Sequence, residues 1–385
     1  MGLRTAGRAW FTLGLLAGLN CATVADRQAQ AQDWPTYHGG YGLDGRAEAA
    51  PPDEPVRRWR FKAEGPIEAT PVSGERRIYF VTTKGVVTAL DLSGRQVWKA
   101  QIANDTVSAP LIFAGSSVVA ATDGGVLYGF EAGTGKEKWA YKVDKAIRGS
   151  PNRVDLPKGS KGVVAIAQAD GALHCVDLET GRAVWETGAL ERCDGSAGFG
   201  NGWIVMGSCA SALHVFSVEK GAKEADIELG GDCQVAGGVA VSGKTAFVGT
   251  RSGKVCAVDI AAKKVAWSNQ DCTQEVFTTP AVDDRFVVFG CNDGKIYALK
   301  RETGAKAWDF ETAGDPTSPV IAGNRVVATS GGTLYILELE TGKKVWTARV
   351  SDRITSPAVA ESLVIVGAED GTVSAYGRPG NLDGR

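Results

Sequence analysis

A tryptophan that recurs about every 40 residues is the feature that most constrains the fold of this chain. Seven tryptophans follow one another at intervals of 39, 41, 46, 82, 41 and 38 residues, at Trp59, Trp98, Trp139, Trp185, Trp267, Trp308 and Trp346. The interval of 82 residues spans two repeats, and Ala225 occupies the place of the missing tryptophan. A fixed period of roughly 20–50 residues indicates a repeat architecture, in which one small unit is copied along the chain.

Each unit contains the signals of four short strands. A glycine at a turn lies four residues before most of the tryptophans, as Gly135 lies before Trp139, whereas the fifth copy has Lys263 there. Glycine adopts the positive φ that such a chain reversal requires. Alternating apolar stretches such as 86–90 have the pattern of strands. A small residue, usually followed by proline, opens each copy, at Thr70, Ala109, Ser150, Ser196, Ala236, Thr279, Ser318 and Ser356.

Eight such copies predict a closed ring. Four antiparallel strands in a repeat of about 40 residues describe one blade of a β-propeller. The eighth copy stops at Gly377 after its third strand, whereas residues 57–61 have the pattern of a strand without a blade. We therefore predict an all-β fold, an eight-bladed β-propeller of four-stranded antiparallel blades over residues 55–377. The N-terminal strand completes the last blade and closes the ring, which leaves no open sheet edge between blades.

The N-terminus has the order of a secretory signal. Arg4 and Arg8 precede an apolar run over 9–19, which is too short to span a bilayer and is followed by small and polar residues. We predict a signal peptide over 1–31 with cleavage after Ala31 or Ala25, an extended segment over 32–54 and a C-terminal tail over 378–385. The protein is therefore expected in the periplasm or outside the cell. Cys21 offers a lipid anchor as the alternative, against which stands Asn20, where lipoprotein signals have a small residue.

The repeat resembles a known family. The run from Val176 to Trp185, with Asp177 and Thr180-Gly181, is similar to the pyrroloquinoline quinone (PQQ) type propeller repeat. The resemblance implies that the tryptophan of each blade docks on the neighbouring blade. Relatives of this type include quinoprotein alcohol dehydrogenases, which hold PQQ and Ca²⁺, and the cofactor-free propeller lipoprotein of the outer-membrane β-barrel assembly machinery, which acts as a scaffold.

The sequence departs from the dehydrogenases in this comparison. It has no adjacent cysteine pair and no long insertion, and no set of Glu, Asn and Asp can be matched to their Ca²⁺ ligands. Nucleophile and metal-hydrolase motifs are also missing from the sequence. We expect no cofactor, and a PQQ-dependent oxidoreductase with PQQ and Ca²⁺ remains the alternative.

Five cysteines fall at turns that should share one rim of the ring. In an exported protein, structural disulfides or inert thiols are the favoured interpretation, and a thiolate metal or redox site is the alternative. No C-x-x-C spacing is present to indicate such a site. These rim cysteines are Cys193, Cys209, Cys233, Cys272 and Cys291.

Polar residues shortly before the start of several copies are expected at the mouth of the channel. They could hold a peptide or a small anion, or they could pair with one another in a solvated channel, which is the favoured interpretation. These candidate residues are Glu68, Arg148, Asp194, Gln234, Asp315 and Arg353.

The charge balance argues against nucleic acid as a partner. With 42 basic and 44 acidic residues, the net charge of -2 leaves no basic excess for a nucleic-acid backbone.

Eight regular repeats with short loops and no recognisable catalytic set indicate the function. We expect a non-catalytic binding or assembly scaffold, with no transmembrane segment. It would present its loop face to another envelope or secreted protein, as a monomer or as a subunit of a complex.

Overall fold

The computed structural model describes Gly2, residues 33–102 and residues 105–380 of the chain. Cys21 and, apart from Gly2, the predicted signal peptide lie outside the described residues, as do residues 381–385 of the predicted tail. In the described part, the only helix is a 3-10 turn at Pro157–Gly159, and no helix there is long and apolar enough to span a membrane.

Eight sheets form the ring, and each blade runs from an inner strand at the channel to an outer strand. Two strands precede the first blade, β1 (Arg46–Ala47) and β2 (Val56–Lys62). Blade 1 is β3 (Val72–Gly74), β4 (Arg77–Val81), β5 (Val86–Asp91) and β6 (Gln96–Gln101). Blade 2 is β7 (Ile112–Ala114), β8 (Ser117–Ala121), β9 (Val126–Glu131) and β10 (Glu137–Lys142). Blade 3 is β11 (Asn152–Asp155), β12 (Lys161–Ile166), β13 (Leu173–Asp177) and β14 (Ala183–Glu186). Blade 4 is β15 (Gly198–Gly200), β16 (Trp203–Gly207), β17 (Ala212–Ser217) and β18 (Lys223–Glu228).

The second half of the ring repeats this order. Blade 5 is β19 (Ala240–Ser242), β20 (Thr245–Gly249), β21 (Val255–Asp259) and β22 (Lys264–Asn269). Blade 6 is β23 (Ala281–Val282), β24 (Phe286–Cys291), β25 (Lys295–Lys300) and β26 (Lys306–Glu311). Blade 7 is β27 (Val320–Ala322), β28 (Arg325–Ser330), β29 (Thr333–Glu338) and β30 (Lys344–Arg349), and β1 adds to it beside β27. Blade 8 is β31 (Ala358–Ala360), β32 (Leu363–Gly367) and β33 (Thr372–Gly377), with β2 as its outer strand.

The ring closes as the sequence predicts. β2 pairs antiparallel with β33, so that Trp59 lies opposite Ala375 and Lys62 opposite Thr372. The first and last parts of the propeller are therefore hydrogen-bonded in one sheet. This confirms the predicted all-β, eight-bladed propeller of four-stranded antiparallel blades with an N-terminal closing strand.

The repeating tryptophans join each blade to the next. In six of the seven, the indole Nε1 donates a hydrogen bond of 2.8–2.9 Å to a carbonyl in the turn between the third and fourth strands of the following blade. The donor–acceptor pairs are Trp59–Leu92, Trp98–Ala132, Trp139–Leu178, Trp185–Val218, Trp267–Arg301 and Trp308–Leu339. The seventh, Trp346, packs edge-on against Tyr376 of blade 8.

The glycine of the same turn makes room for the incoming indole. A Cβ on this glycine would lie 2.4–2.6 Å from the tryptophan of the preceding blade, and the glycine φ lies between 63° and 82°. The six positions are Gly94, Gly135, Gly181, Gly221, Gly304 and Gly342. The two departures from the repeat therefore explain each other. Blade 4 has Ala225 instead of tryptophan, so no indole reaches the turn of blade 5, and Lys263 can stand there with φ 54°.

Hydroxyl side chains at the start of the copies connect neighbouring inner strands. Ser196 accepts the backbone N–H of Ser150, Thr279 that of Gly238, Ser318 that of Thr279 and Ser356 that of Ser318, at 2.8–3.2 Å. In blade 5 this position is Gly238. The sequence pattern places this position at Ala236, which is wrong by two residues. No proline marks the start of the inner strand in blade 5.

Candidate functional site

The channel has two mouths of different construction. One is bordered by the loops that enter each blade and by the turns between second and third strands, and we call it the loop rim. The other is covered by residues 33–47, which we call the N-terminal strap. The predicted mouth residues and rim cysteines all belong to the loop rim.

Two of the predicted mouth residues come together. Glu68 and Arg353 line a cavity of about 320 Å³ at the loop rim between blades 7, 8, 1 and 2, together with Thr355 and Glu369. Arg353 Nη1 lies 2.9 Å from Glu369 Oε1, so part of the charge at this mouth is already paired.

The other four predicted residues are spread along the rim. Arg148 forms an ion pair of 3.7 Å with Asp123, and the carbonyl of Gln234 accepts the backbone N–H of Arg251 at 2.8 Å. Asp315 is exposed. Only Asp194 belongs to a larger arrangement.

Asp194 lies at the centre of a connected group across four blades. Its Oδ1 accepts hydrogen bonds from Arg192 Nε and Gln168 Nε2, both at 2.8 Å, and its Oδ2 lies 3.4 Å from Arg251 Nη2. Although burial alone would raise the pKa of Asp194, the hydrogen bonds from Arg192 and Gln168 hold it below its usual value. The carboxylate thus remains charged and fixes both arginines.

Arg251 connects this group to an exposed aromatic ring. Its guanidinium carbon lies 5.1 Å from the ring centroid of Phe277, and Phe277 is 40% exposed. We call Gln168, Arg192, Asp194, Arg251 and Phe277 the rim platform. An arginine and an aromatic ring held in place before binding are the residue types that dominate protein–protein interfaces. Of the five, the sequence prediction named only Asp194 as a candidate, because it considered polar residues, although Phe277 occupies the equivalent position before blade 6.

The rim cysteines do not form one cluster. Cys272 and Cys291 form a disulfide that joins the loop entering blade 6 to the end of β24. Cys193 and Cys233 are buried free thiols, and Cys209 is partly buried. Burial raises the pKa of the Cys193 thiol, and Cys193 occupies the place that Val235 and Val276 have in the next two blades. It therefore acts as a small apolar residue of the core.

A Ser-His-Asp arrangement occurs in blade 4 and was not anticipated from the sequence. His214 Nε2 lies 2.8 Å from Ser208 Oγ, and His214 Nδ1 lies 2.6 Å from Asp226 Oδ1. Ser208, however, is completely buried, and its hydroxyl accepts the backbone N–H of Ala210 within the turn. A nucleophile must be reachable by its substrate, so this network is structural.

The strap supplies acceptors to inner strands that would otherwise have free N–H groups. The inner strands of six blades donate one backbone N–H each to a strap carbonyl at 2.7–2.9 Å. Gly323, just after β27, adds a second bond from blade 7 to Ala47, and blade 3 donates through the Asn152 side chain. The backbone donor–acceptor pairs are Ser73–Trp34, Phe113–Pro35, Phe199–Tyr41, Val241–Gly42, Val282–Asp44 and Ile321–Gly45. The sequence predicts only an extended segment here, and the apolar residues of the strap were the one signal that it is buried.

His38 of the strap is fully buried at the channel mouth opposite the loop rim. Its two ring nitrogens lie 2.7 Å from the carbonyl oxygen of Leu43 and 2.9 Å from that of Pro319. Burial lowers the pKa of His38 below its usual value. The buried side chains of the strap consequently occupy the channel mouth opposite the loop rim.

Asp44 on the strap gives the protein a predicted pH dependence. Burial raises the pKa of Asp44 from 3.8 to about 6, against the attraction of Arg46. The folded state therefore holds this proton more tightly than the unfolded chain. The stabilisation of the folded state by this bound proton is fully present below about pH 4 and is lost as the pH rises through about 6. We expect Asp44→Asn to stabilise the protein at pH 7.5 by about 2 kcal/mol and to flatten this pH dependence.

Urea unfolding at pH 4 and pH 7.5 measures the effect of Asp44→Asn. Asp284→Asn is the matched control, because Asp284 is 79% exposed and pairs with Arg46 from outside the strap. An Asp44→Asn variant with the wild-type pH dependence would show that Asp44 does not carry it.

Comparison with known proteins identifies the family. The sequence profile of the family described as outer membrane protein assembly factor BamB matches residues 45–198, 210–324 and 292–382. The chain belongs to this family. The PQQ-like propeller that the repeat resembles is thereby confirmed.

Relatives within the BamB family are distant. BamB of Burkholderia pseudomallei is 26% identical over 300 residues, which is 74% of this chain and 77% of the relative. BamB of Bordetella pertussis is 24% identical over 261 residues, 64% of this chain and 65% of the relative.

Solved structures with the same fold include two that differ in function. BamB from Moraxella catarrhalis superposes with a TM-score of 0.72 at 19% identity, over 86% of this chain and 100% of that one. Quinohemoprotein alcohol dehydrogenase from Comamonas testosteroni superposes with a TM-score of 0.76 at 13% identity, over 95% of this chain and 84% of that one. At these identities the superpositions show the architecture alone.

The residues at the channel do not fit the Ca²⁺ that accompanies PQQ. Calcium requires several oxygen ligands around one point. Among the described His, Cys, Asp and Glu residues, only Cys272, Cys291 and Asp293 bring three side-chain ligand atoms within 4.8 Å of one another, and both cysteines are in the disulfide. Of the acidic residues at the loop rim, Asp194 and Glu369 are held by arginines.

Proposed function

We infer that this protein is a non-catalytic scaffold of the cell envelope that supports outer-membrane protein assembly by docking a partner protein on the rim platform. The observation that carries this function is the exposed Phe277 ring with Arg251 stacked on it and Asp194 holding Arg251. Membership of the BamB family supports the assignment. The predicted signal peptide supports export.

The platform suits a protein rather than a small molecule. Its residues come from blades 3 to 6 and lie on an open rim, so they present a broad surface instead of a cleft. Arg192 and Arg251 share the Asp194 carboxylate and lose little side-chain freedom on binding, which lowers the cost of association. We expect the partner to offer an apolar pocket for Phe277 and acidic groups for the arginines.

Phe277→Ala tests this function. Loss of an exposed aromatic anchor at the centre of an interface is expected to weaken partner binding roughly tenfold or more. The measurement is the yield of a photo-cross-link from a benzophenone side chain at an adjacent rim position, together with the amount of folded outer-membrane protein in cells that carry the variant. Val97→Ala is the control, because Val97 is 45% exposed but lies on the outer strand of blade 1.

Two results would contradict the proposal. One is an unchanged amount of folded outer-membrane protein in cells that lack this protein entirely. The other is stoichiometric binding of added PQQ and Ca²⁺ with reduction of a dye by alcohols or sugars, which would establish the oxidoreductase alternative.

A further inference from the structure

The cavity at the loop rim between blades 7, 8, 1 and 2 lies outside the rim platform. Its volume is about 320 Å³. This is room for roughly ten waters or for one long side chain. Carboxylates, hydroxyls and apolar side chains share its wall, among them those of Glu68, Glu369, Thr70, Ser356, Ile67 and Ile354.

The backbone brings the two carboxylates to the same wall. A backbone hydrogen bond of 3.1 Å joins the residue before Glu68 to the residue before Glu369. Glu68 and Glu369 occupy the repeat positions of Asp194 and Gln168. The side chains of Asp194 and Gln168 hydrogen-bond to each other at 2.8 Å. At the junction of blades 8 and 1 both groups are acids instead, and two carboxylates repel each other unless a cation lies between them.

Only one of these two carboxylates is neutralised. Arg353 Nη1 lies 2.9 Å from Glu369 Oε1, while 78% of the Arg353 side chain remains exposed to solvent. Within the part of the chain that the structure describes, the carboxylate of Glu68 takes part in no ion pair and no hydrogen bond. The cavity therefore has one negative charge in excess, which favours a cation over the small anion that the sequence left open.

A buried hydroxyl points to the same kind of ligand. Thr70 is 5% exposed and lines the cavity. In blades 4, 6, 7 and 8 the corresponding hydroxyl accepts an N–H of the preceding blade, whereas that of Thr70 has no partner among the described residues.

The Thr70 oxygen is accessible from the cavity. Of the described side-chain polar atoms, only one in Asn152 and one in Arg153 are both completely buried and without a partner. The Thr70 oxygen, which has no partner either, therefore keeps some accessible surface. Because the accessible part of Thr70 borders the cavity, its hydroxyl can accept a hydrogen bond from a ligand there.

The apolar part of the wall suits a hydrocarbon chain. Ile67 and Ile354 line the cavity and belong to the buried core cluster shared by blades 1, 7 and 8, so both are held in place before binding. A primary ammonium group has three N–H donors and no acceptor, which matches a carboxylate and a hydroxyl. Its methylene groups match the isoleucines, as the stem of a lysine packs on apolar surface while its charge stays in water.

We propose that this cavity binds a primary ammonium group at the end of an alkyl chain, as a lysine side chain or a free alkylamine presents it. The ammonium group would bind Glu68 and Thr70, and the chain would lie against Ile67 and Ile354. The rim platform belongs to blades 3 to 6, so this site does not depend on the function proposed for that platform.

Titration calorimetry on the intact protein tests the site with three probes. Nα-acetyl-L-lysine methylamide carries the ammonium group, its Nε-acetyl derivative lacks the charge, and pentylamine lacks the peptide groups. We expect saturable binding of the lysine probe, and binding of the Nε-acetyl derivative weaker by at least roughly tenfold.

The two amines also identify the source of the ammonium group. Pentylamine that binds at least as tightly as the lysine probe would support the site with a free amine as its ligand. Weaker binding of pentylamine would support it with a lysine of a protein. No saturable binding of either amine up to about 10 mM, or equal binding of the Nε-acetyl derivative, would overturn the proposal.

Two variants and a matched control locate the binding. Glu68→Gln keeps the shape of the side chain and should weaken binding of the lysine probe at least roughly tenfold. Thr70→Val removes a hydroxyl without a partner, so it should weaken binding roughly fivefold and leave the melting temperature unchanged within a few degrees. Asp315→Asn is the control, because Asp315 is an exposed acid of the same rim outside the cavity, and it should leave binding unchanged.

Two results with these variants would refute the site. Equal effects of Glu68→Gln and Asp315→Asn would mean that the rim attracts amines only through its overall charge. Loss of probe binding in Phe277→Ala would place the ammonium group on the rim platform instead.

Discussion

Gly181→Ala is expected to lower the free energy of unfolding by about 3–4 kcal/mol, although it adds a single methyl group. Two costs combine. Gly181 has φ 67°, which costs a residue with a Cβ roughly 1–2 kcal/mol. The added Cβ would also lie 2.6 Å from Trp139 Cγ, and overpacking of this kind costs roughly 1–3 kcal/mol. Trp139 cannot move aside freely, because its Nε1 donates to Leu178.

A second glycine separates the two costs. Gly243 has φ 63°, but a Cβ there would meet no atom within 4 Å. Gly243→Ala should therefore cost only the backbone part, about 1–2 kcal/mol. Urea unfolding of both variants measures the difference. Equal effects of the two substitutions would mean that the turn glycines serve the backbone alone, and that the tryptophan does not require them.

Trp34→Ala is expected to lower the free energy of unfolding by about 3–5 kcal/mol, the cost of deleting a fully buried aromatic side chain. Trp34 is 1% exposed and lies in a core cluster with Ile78, Val320 and Val359, which come from blades 1, 7 and 8. Its carbonyl accepts the N–H of Ser73, and its own N–H donates to the Ser73 hydroxyl, both at 2.8 Å. Trp34 thus joins the first residues of the strap to β3 through its backbone and to a core shared by three blades through its side chain.

Hydrogen exchange locates the effect of Trp34→Ala. The amides that donate to the strap, such as those of Ser73 and Phe113, should exchange faster in the variant. The amides that join β2 to β33 should lose only as much protection as the global loss of stability causes, because β2 closes the ring without the strap. Faster exchange confined to β2 and β33 would show that the strap is not what Trp34 holds.

The ring itself could be predicted because its rules are local and repeated. Most copies place the tryptophan, the turn glycine and the opening residue at nearly constant spacings, so the copies report the same geometry independently. The closing strand follows from counting, since one strand is missing after Gly377 and one is in excess at 57–61. Even the irregular pair Ala225 and Lys263 is visible in the sequence, although their connection is visible only in the structure, where the preceding tryptophan is seen to fill the turn.

The sites depended on contacts between side chains of different blades. The rim platform joins Gln168 to Phe277 through side chains of four successive blades, and although Asp194 and Phe277 share one repeat position and Gln168 and Arg251 another, the repeat does not show which of these side chains meet. The strap crosses the channel floor and contacts residues from Ser73 to Ile321, because a ring brings all inner strands to one axis. The sequence alone determined the eight blades, since each blade is stabilised by near neighbours along the chain. Only the tertiary structure decided which mouth of the channel the strap occupies, because that depends on where one short segment meets inner strands of distant sequence.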